Sequence, residues 1–260
     1  MLYLVSTPIG NLADITLRAL ETLKAADLIL CEDTRTSQVL LKRYSIHTPL
    51  KSYHKFNEKQ LEGEVLSLLK KDKKIALISD AGTPGISDPG GALVKLCQEK
   101  NVPVTVIPGP SAPIAALTLS GMEMDRFQFV GFLPKKEGER TKLLLEALHY
   151  PGVTIAFESP NRIHKTLSEI ASLNPDQEVA IARELTKIYE ELVRGRVKDL
   201  VEHPIRGEVV LLIWGYAEWD YTLTPEEHVR LLQEKFSLSK QEAIKLAATL
   251  RGVSKREIYF

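Results

Sequence analysis

Between Ser79 and Gly91 the chain reads SDAGTPGISDPGG, thirteen residues with four glycines, two prolines and two aspartates. A simple turn does not need that composition. Several glycines in one loop let the backbone approach a ligand closely, and a helix start beside them offers N–H donors to a polar group. Three shorter stretches have the same texture: STPIGN (6–11), CEDTR (31–35) and PGPSA (108–112). Conspicuous charged residues sit in or beside such loops: Asp33 with Arg35, Arg162, and Glu184 with Lys187. The familiar phosphate signatures are missing, since no GxGxxG follows the first apolar run and no GxxxxGK[ST] occurs anywhere. A GxSxG elbow and paired metal-ligand spacings are also absent, and the six histidines are scattered, so no metal is expected. These residues point to an enzyme with a backbone-rich site for a small polar ligand.

The elements that must carry these loops are readable from apolar periodicity. Short strands are predicted at 2–6, 28–31, 50–53, 74–79 and 102–107, alternating with helices after residue 16, across 39–41, over 58–70, over 90–99 and up to about 120. Strand–helix alternation with buried strands predicts a mainly parallel sheet covered on both faces. Ligands of such sheets gather at the carboxyl ends of the strands, where all four loops lie. After Gly121 a second series begins: RFQFVGF, a charged helix at 135–149, VTIAFES, a helix at 161–172, and EVAIAREL. KIYEELVRG and EVVLLIWGY then read as adjacent strands joined by a short 196–204 connection, giving a mixed sheet. From 222 two amphipathic helices follow, started by Thr224-Pro225 and by Ser239. The expected organisation is an α/β domain over 1–121, a second over 122–220 and a helical tail over 221–260.

At 260 residues, two α/β domains fit. The 34 basic and 34 acidic residues cancel, so there is no overall basic field to drive nucleic-acid binding, although a local basic cleft remains compatible with that balance. Between 32 and 56, Arg35, Lys42, Arg43, Lys51 and Lys55 face two acids, with Tyr53, His54 and Phe56 interleaved, a pattern suited to stacking on unpaired bases or to a solvated helix face. Lys135, Lys136, Arg140 and Lys142 form a second, more diluted group. Cys31 and Cys97 each lie inside an apolar run, and the N-terminal stretch lacks a charged start and cleavage site. Both features predict a reducing, cytoplasmic setting without membrane attachment.

In chain order, STPIGN, CEDTR, ISDAGTPGISDPG, IPGPSA, FESPNR and ARELTK…E resemble the ribosomal RNA small-subunit methyltransferase I family, within the tetrapyrrole (corrin/porphyrin) methylase superfamily. The similarity runs from the first strand to KREIY near the end. It implies two α/β/α domains of the tetrapyrrole-methylase type (class III methyltransferases), a homodimer, S-adenosylmethionine as cofactor, and 2′-O-methylation of a cytidine in the decoding region of small-subunit ribosomal RNA. Carried over position by position, it implies cofactor contacts at Pro8 and Gly10. In the long loop it implies Gly82, Thr83 (where relatives often hold aspartate), Asp80 three residues earlier and Ile86. It further implies Ser111 and Ala112, and adenine packing by Phe157 and Ala182.

Methyl transfer to a ribose hydroxyl needs alignment and relief of the hydroxyl proton. Glu184 or Asp33 is expected to take that proton, with Lys187 beside them, while Arg35, Arg162 and Lys187 are placed to hold RNA phosphates. Structural ion pairs, Asp33–Arg35 and Arg183–Glu184, are the competing reading. Two other functions stay open: the same chemistry on a tetrapyrrole precursor or a translation factor, and a non-enzymatic RNA-binding or ribosome-assembly role.

Overall fold

The computed structural model describes residues 1–122, 125–215, 223–236 and 238–258. The 220–221 domain boundary and the Tyr259 of the KREIY stretch lie outside them. The chain forms two compact units, Met1–Ala115 with Glu184–Glu190, and Ala116–Arg183 with Glu191–Phe260.

The first unit carries five parallel strands, β1 (Leu2–Val5), β2 (Leu28–Cys31), β3 (Leu50–Ser52), β4 (Ile75–Leu77) and β5 (Val104–Ile107), in the order β3-β2-β4-β1-β5. Helices α1 (Leu17–Ala25) and α2 (Thr34–Arg43) bury Leu23, Leu40 and Leu41 on one face of the sheet. Helices α3 (Glu58–Lys70) and α4 (Gly91–Glu99) bury Val65, Leu69, Leu93 and Cys97 on the other. Thr16 caps α1 by accepting from the Ala19 amide, as its position before the apolar stripe predicts. Helix α5 (Ala112–Ser120) begins directly after PGPS.

The second unit holds a mixed sheet of β6 (Phe127–Phe132), β7 (Val153–Glu158), β8 (Glu178–Arg183), β9 (Glu191–Arg196) and β10 (Val209–Trp214), ordered β6-β7-β10-β8-β9. Only β6 and β7 run parallel. This corrects one expectation, because β9 and β10 are not neighbours. Strand β10 is the continuous apolar run VVLLIW and takes the middle of the sheet, paired to β7 and β8. Strand β9, ELVRGR, pairs only with β8 and is left at the edge, where its charged side chains stay wet. The connection between them carries a single helical turn, α8 (Val197–Leu200).

Helices α6 (Glu137–Leu148) and α7 (Ile163–Leu173) pack on this sheet through Leu144, Leu148, Ile163, Leu167 and Ile170. The tail helices α9 (Pro225–Phe236), α10 (Lys240–Arg251) and α11 (Lys255–Ile258) share a core with Leu145 of α6 and belong to this unit. Ser239 and Glu242 form a reciprocal capping box on α10. Among the described residues no helix is long and apolar enough to cross a membrane.

Candidate functional site

In the first unit the chain leaves β1 toward β2 on one side and leaves β4 toward β5 on the other. Adjacent strands whose connections diverge in this way open a crevice at their carboxyl ends, the usual ligand position in open α/β sheets. The loops after β1 and β4 meet there. Thr7 and Gly82 form an antiparallel bridge, the Thr7 amide donating to the Gly82 carbonyl at 2.9 Å and the Gly82 amide to the Thr7 carbonyl at 3.1 Å. Thr7 Oγ1 donates to the Ser79 carbonyl at 3.0 Å, and the Ser6 and Thr83 hydroxyls lie 3.0 Å apart. Gly82 has φ +77°, which a side chain would strain, and a Cβ there would fill the space beside Ile9 and the Pro110 carbonyl. A Cβ on Gly109 would come within 3.0 Å of Ser6 Cβ. The loops after β1, β4 and β5 therefore meet in one cradle floored by backbone and small hydroxyls, which holds Gly82 and Thr83; Pro8, Ser111 and Ala112 lie next along the same segments.

The loop after β2 joins this cradle through its acids. The Asp33 amide donates to Asp80 Oδ1 at 3.2 Å. Asp33 itself is gripped by Arg35, whose Nη2 lies 2.7 Å from Oδ2, and the Arg35 side chain and amide hold its pKa down at about 2. Burial, opposed in part by the Asp33 amide, pushes Asp80 above its ordinary value. Burial, with Glu32 beside it, raises Asp88 to about 6 in spite of Lys55. The loop after β4 also bends Ser87 to φ +65° and leaves Ile86 largely exposed.

A fifth segment completes the unit. Residues 184–190 turn between β8 and β9, with Glu184 and Thr186 at φ +49° and +64°, conformations that non-glycine residues adopt at a cost. The turn is pinned to the loop after β1, since the Asn11 amide donates to Thr186 Oγ1 at 3.0 Å. Gly10 permits this approach. A Cβ there would lie 2.6 Å from the Leu185 carbonyl oxygen and from Lys187 Cγ, and 2.7 Å from Thr186 Oγ1. Lys187 Nζ pairs with Glu184 Oε1 at 3.0 Å, and Glu190 accepts from the Thr186 amide.

The remaining nominated residues lie in the second unit. Arg162 is held by Glu158 at 2.5 Å and donates to the carbonyls of Leu133 and Pro134. Glu158 is buried and also accepts from Thr166 Oγ1 at 2.8 Å. Phe157 packs against Phe129 and Phe132, with ring centroids 5.0 and 5.2 Å away, and Ala182 is fully buried on β8 opposite Val210. Arg183 pairs with Glu191.

Two readings of the basic segments change. Tyr53 is entirely buried against α3 and α4, so it cannot stack on a base, because its strand end points into the core. Arg140 is buried on Glu169, and Lys136 pairs with Glu139, so the 135–142 group is largely internal pairing. Sequence reasoning passed over Ser6, Thr7 and Asp88. Asp88 is the second aspartate of the glycine loop and was visible as such, whereas Thr7 gains its role only from the strand order. Among the described residues no cluster of metal-ligating side chains occurs.

Comparison with known proteins bears on this arrangement. The family model described as "Tetrapyrrole (Corrin/Porphyrin) Methylases" matches residues 1–201. The protein of Bacillus subtilis named "Ribosomal RNA small subunit methyltransferase I" is 45% identical over 272 residues, covering 100% of this chain and 92% of its own length. The protein of the same name from Thermotoga maritima is 46% identical over 220 residues, covering 82% of this chain and 98% of its own. Among solved structures, a cobalt precorrin-4 methyltransferase of cobalamin biosynthesis superposes with TM-score 0.62 at 21% identity, covering 83% of this chain and 95% of that one. A uroporphyrin-III-C-methyltransferase from Thermus thermophilus gives 0.57 at 18%, covering 82% and 93%. At these identities the two structures speak to the fold alone.

Proposed function

The chain belongs to the tetrapyrrole methylase family, in the branch of the ribosomal RNA small subunit methyltransferase I proteins, and from that premise we propose that it transfers a methyl group from S-adenosylmethionine to ribosomal RNA of the small subunit. The finer reading is methylation of the 2′-hydroxyl of a cytidine in the decoding region, by a cytoplasmic homodimer. The observation that carries the reading is the Thr7–Gly82 bridge, which gathers the glycine-rich loops into one backbone-lined cradle at the divergence of β1 and β4.

The residues of the cradle fit the cofactor. Backbone around Gly82, the Ser6 and Thr83 hydroxyls and the carboxylate of Asp80 suit its amino-acid and ribose groups, and Ile86 offers an apolar contact. Pro8, Gly10, Ser111 and Ala112 would border it; adenine packing by Phe157 and Ala182 of the second unit is what the family resemblance implies. When bound, S-adenosylmethionine supplies an electrophilic methyl on a sulfonium. The protein's part is to align the acceptor oxygen and to receive its proton.

Of the nominated bases Glu184 suits that task better than Asp33. Asp33 is tied into a bidentate pair and held at about 2, which makes it a weak proton acceptor at neutral pH. Glu184 stands on a strained, pinned turn with Lys187 beside it, where Lys187 can steady the developing charge. Arg35, exposed, is free to exchange Asp33 for an RNA phosphate, whereas Arg162 in this reading fixes the FESPNR turn. Exposed apolar side chains on edge strand β5 and on α5, Val106 and Ile114, supply surface for the second copy.

The test is transfer of labelled methyl from S-adenosylmethionine to small subunits that lack the modification, followed by digestion to nucleosides. Label in 2′-O-methylcytidine is the expected outcome. Label in another nucleoside or in a base removes the cytidine-ribose reading, and label only in a tetrapyrrole or a protein replaces the RNA reading. Glu184→Gln should lower turnover far more than cofactor affinity, and unchanged turnover removes Glu184 as the base.

A further inference from the structure

Phe56 is 93% exposed, an uncommon position for a phenylalanine in a turn held by several hydrogen bonds. The turn His54–Glu58 joins β3 to α3. The His54 amide donates to Asn57 Oδ1 at 2.8 Å, Asn57 Nδ2 donates to the Ser52 carbonyl at 3.1 Å, and the Phe56 amide donates to His54 Nδ1 at 3.3 Å. The Asn57 and Glu58 amides both return to the His54 carbonyl. Buried Tyr53 anchors the turn from below, and the His54 ring stands edge-on to Phe56, centroids 5.9 Å apart. The ring is thus held outward by local structure, with its face open to water.

Its surroundings select the occupant. From 51 to 59 the chain carries Lys51, Lys55 and Lys59 against the single acid Glu58, while Lys42 and Arg43 end α2 at the other end of the parallel sheet. Lys51 pairs with Glu64, while the Lys55 ammonium lies 3.5 Å from the Ser87 carbonyl, on the glycine-rich loop of the cradle and facing Asp88 of that loop. An aromatic face set among cations is the arrangement that binds single-stranded nucleic acid, the ring stacking on a base while ammonium groups meet the phosphates. An apolar protein partner would not call for a lysine directly beside the ring.

Resting on the RNA-methyltransferase reading, we infer that Phe56 is a stacking platform for an unpaired base of the substrate RNA, a neighbour of the methylated nucleotide, with Lys55 pairing to the adjoining phosphate. The platform lies beside the cofactor cradle, so it sets which nucleotide of a single-stranded segment enters. Its contribution falls on substrate binding and register, and not on cofactor binding.

The experiment compares wild type, Phe56→Ala, Phe56→Trp and Lys55→Ala in methyl transfer to small subunits lacking the modification, with calorimetric cofactor titration, thermal melting and sedimentation of each. Phe56→Ala should raise KM for the subunit roughly tenfold, the order expected for one lost stack. Cofactor affinity, melting and sedimentation should not change, and Phe56→Trp should restore the wild-type KM. Lys55→Ala should flatten the salt dependence of KM. An unaltered KM for Phe56→Ala, or a failure of tryptophan to restore it, overturns the inference while the parent reading stands. A change in sedimentation without a change in KM reassigns Phe56 to contact between copies. Absence of label in RNA with wild type sinks the parent reading and this inference together.

Discussion

The two units treat their charged residues differently. In the second, arginines are matched to acids away from water, Arg140 with Glu169 and Arg162 with Glu158, whereas pairs of the first such as Arg35 with Asp33 and Lys73 with Asp27 lie at the surface. In the first, Asp80 and Asp88 are gathered at strand ends with their carboxylates destabilised, beside strained Ser87, Glu184 and Thr186 and the exposed side chains Ile86, Phe56, Ile188 and Tyr189. A scaffold relaxes its polar groups, while a site keeps them poised for something that binds. The proposed reading puts the proton transfer on the first unit, and the contrast makes part of the second unit's charge structural.

That contrast can be broken first at Arg162. Arg162→Ala leaves buried Glu158 without its cation and should cost about 3 kcal/mol, read by denaturant unfolding. A stable Arg162→Ala protein that has lost RNA binding would return Arg162 to the substrate and blur the division.

Gly10→Ala should act the other way round. The added methyl displaces the Leu185 carbonyl and with it the Glu184–Lys187 turn, so turnover should fall about a hundredfold with modest change in melting. Equal turnover would detach the 184–190 turn from the reaction.

The units should also answer pH in opposite senses. Burial and Arg251, with His149 nearby, lower His228 of the second unit to about 4. Between its ordinary 6.5 and 4 the unfolded chain binds a proton that the folded chain refuses, so stability is lost on acidification, by about 3 kcal/mol. Asp88, faced by Glu32, Asp80 and Lys55, is raised from 3.8 to about 6. There the folded chain holds the proton longer, so stability is lost as pH rises across that range, by about 1 kcal/mol after allowance for solvent. Asp88→Asn should therefore stabilise the protein at pH 7 and change nothing at pH 4, and His228→Gln should flatten the acid limb. Hydrogen exchange followed across pH would assign each effect to its unit, and parallel behaviour of the two would remove this part of the contrast.

The smallest effect is expected at Arg35. Its pair with Asp33 is solvent-exposed, so Arg35→Ala should leave the thermal midpoint unchanged and weaken RNA binding severalfold, most at low salt. A large drop in stability would make that pair structural.

Much of this was legible in the sequence because it is local. Thr16, Ser239 and the apolar stripes of 58–70 and 91–99 announce helices within a few residues, and SDAGTPGISDPGG advertises a ligand loop by composition alone. What was hidden depends on distant partners. Strand β10 belongs in mid-sheet because it is apolar on both faces, and only the finished sheet shows which strands flank it. Tyr53 and Phe56 stand three residues apart in the same basic stretch, yet one is core and the other fully outward, a difference set by where β3 ends and α3 begins. Thr7 meets Gly82 only because β1 lies beside β4 in the finished sheet.

The most direct measurement is calorimetric titration of S-adenosylmethionine into wild type and into Gly82→Val, with circular dichroism to confirm that the variant folds. Binding at one site per chain in wild type, lost or weakened at least tenfold in the folded variant, is the predicted result. Absence of binding to wild type, or undiminished binding to the variant, would contradict the assignment of the β1–β4 cradle as the cofactor site.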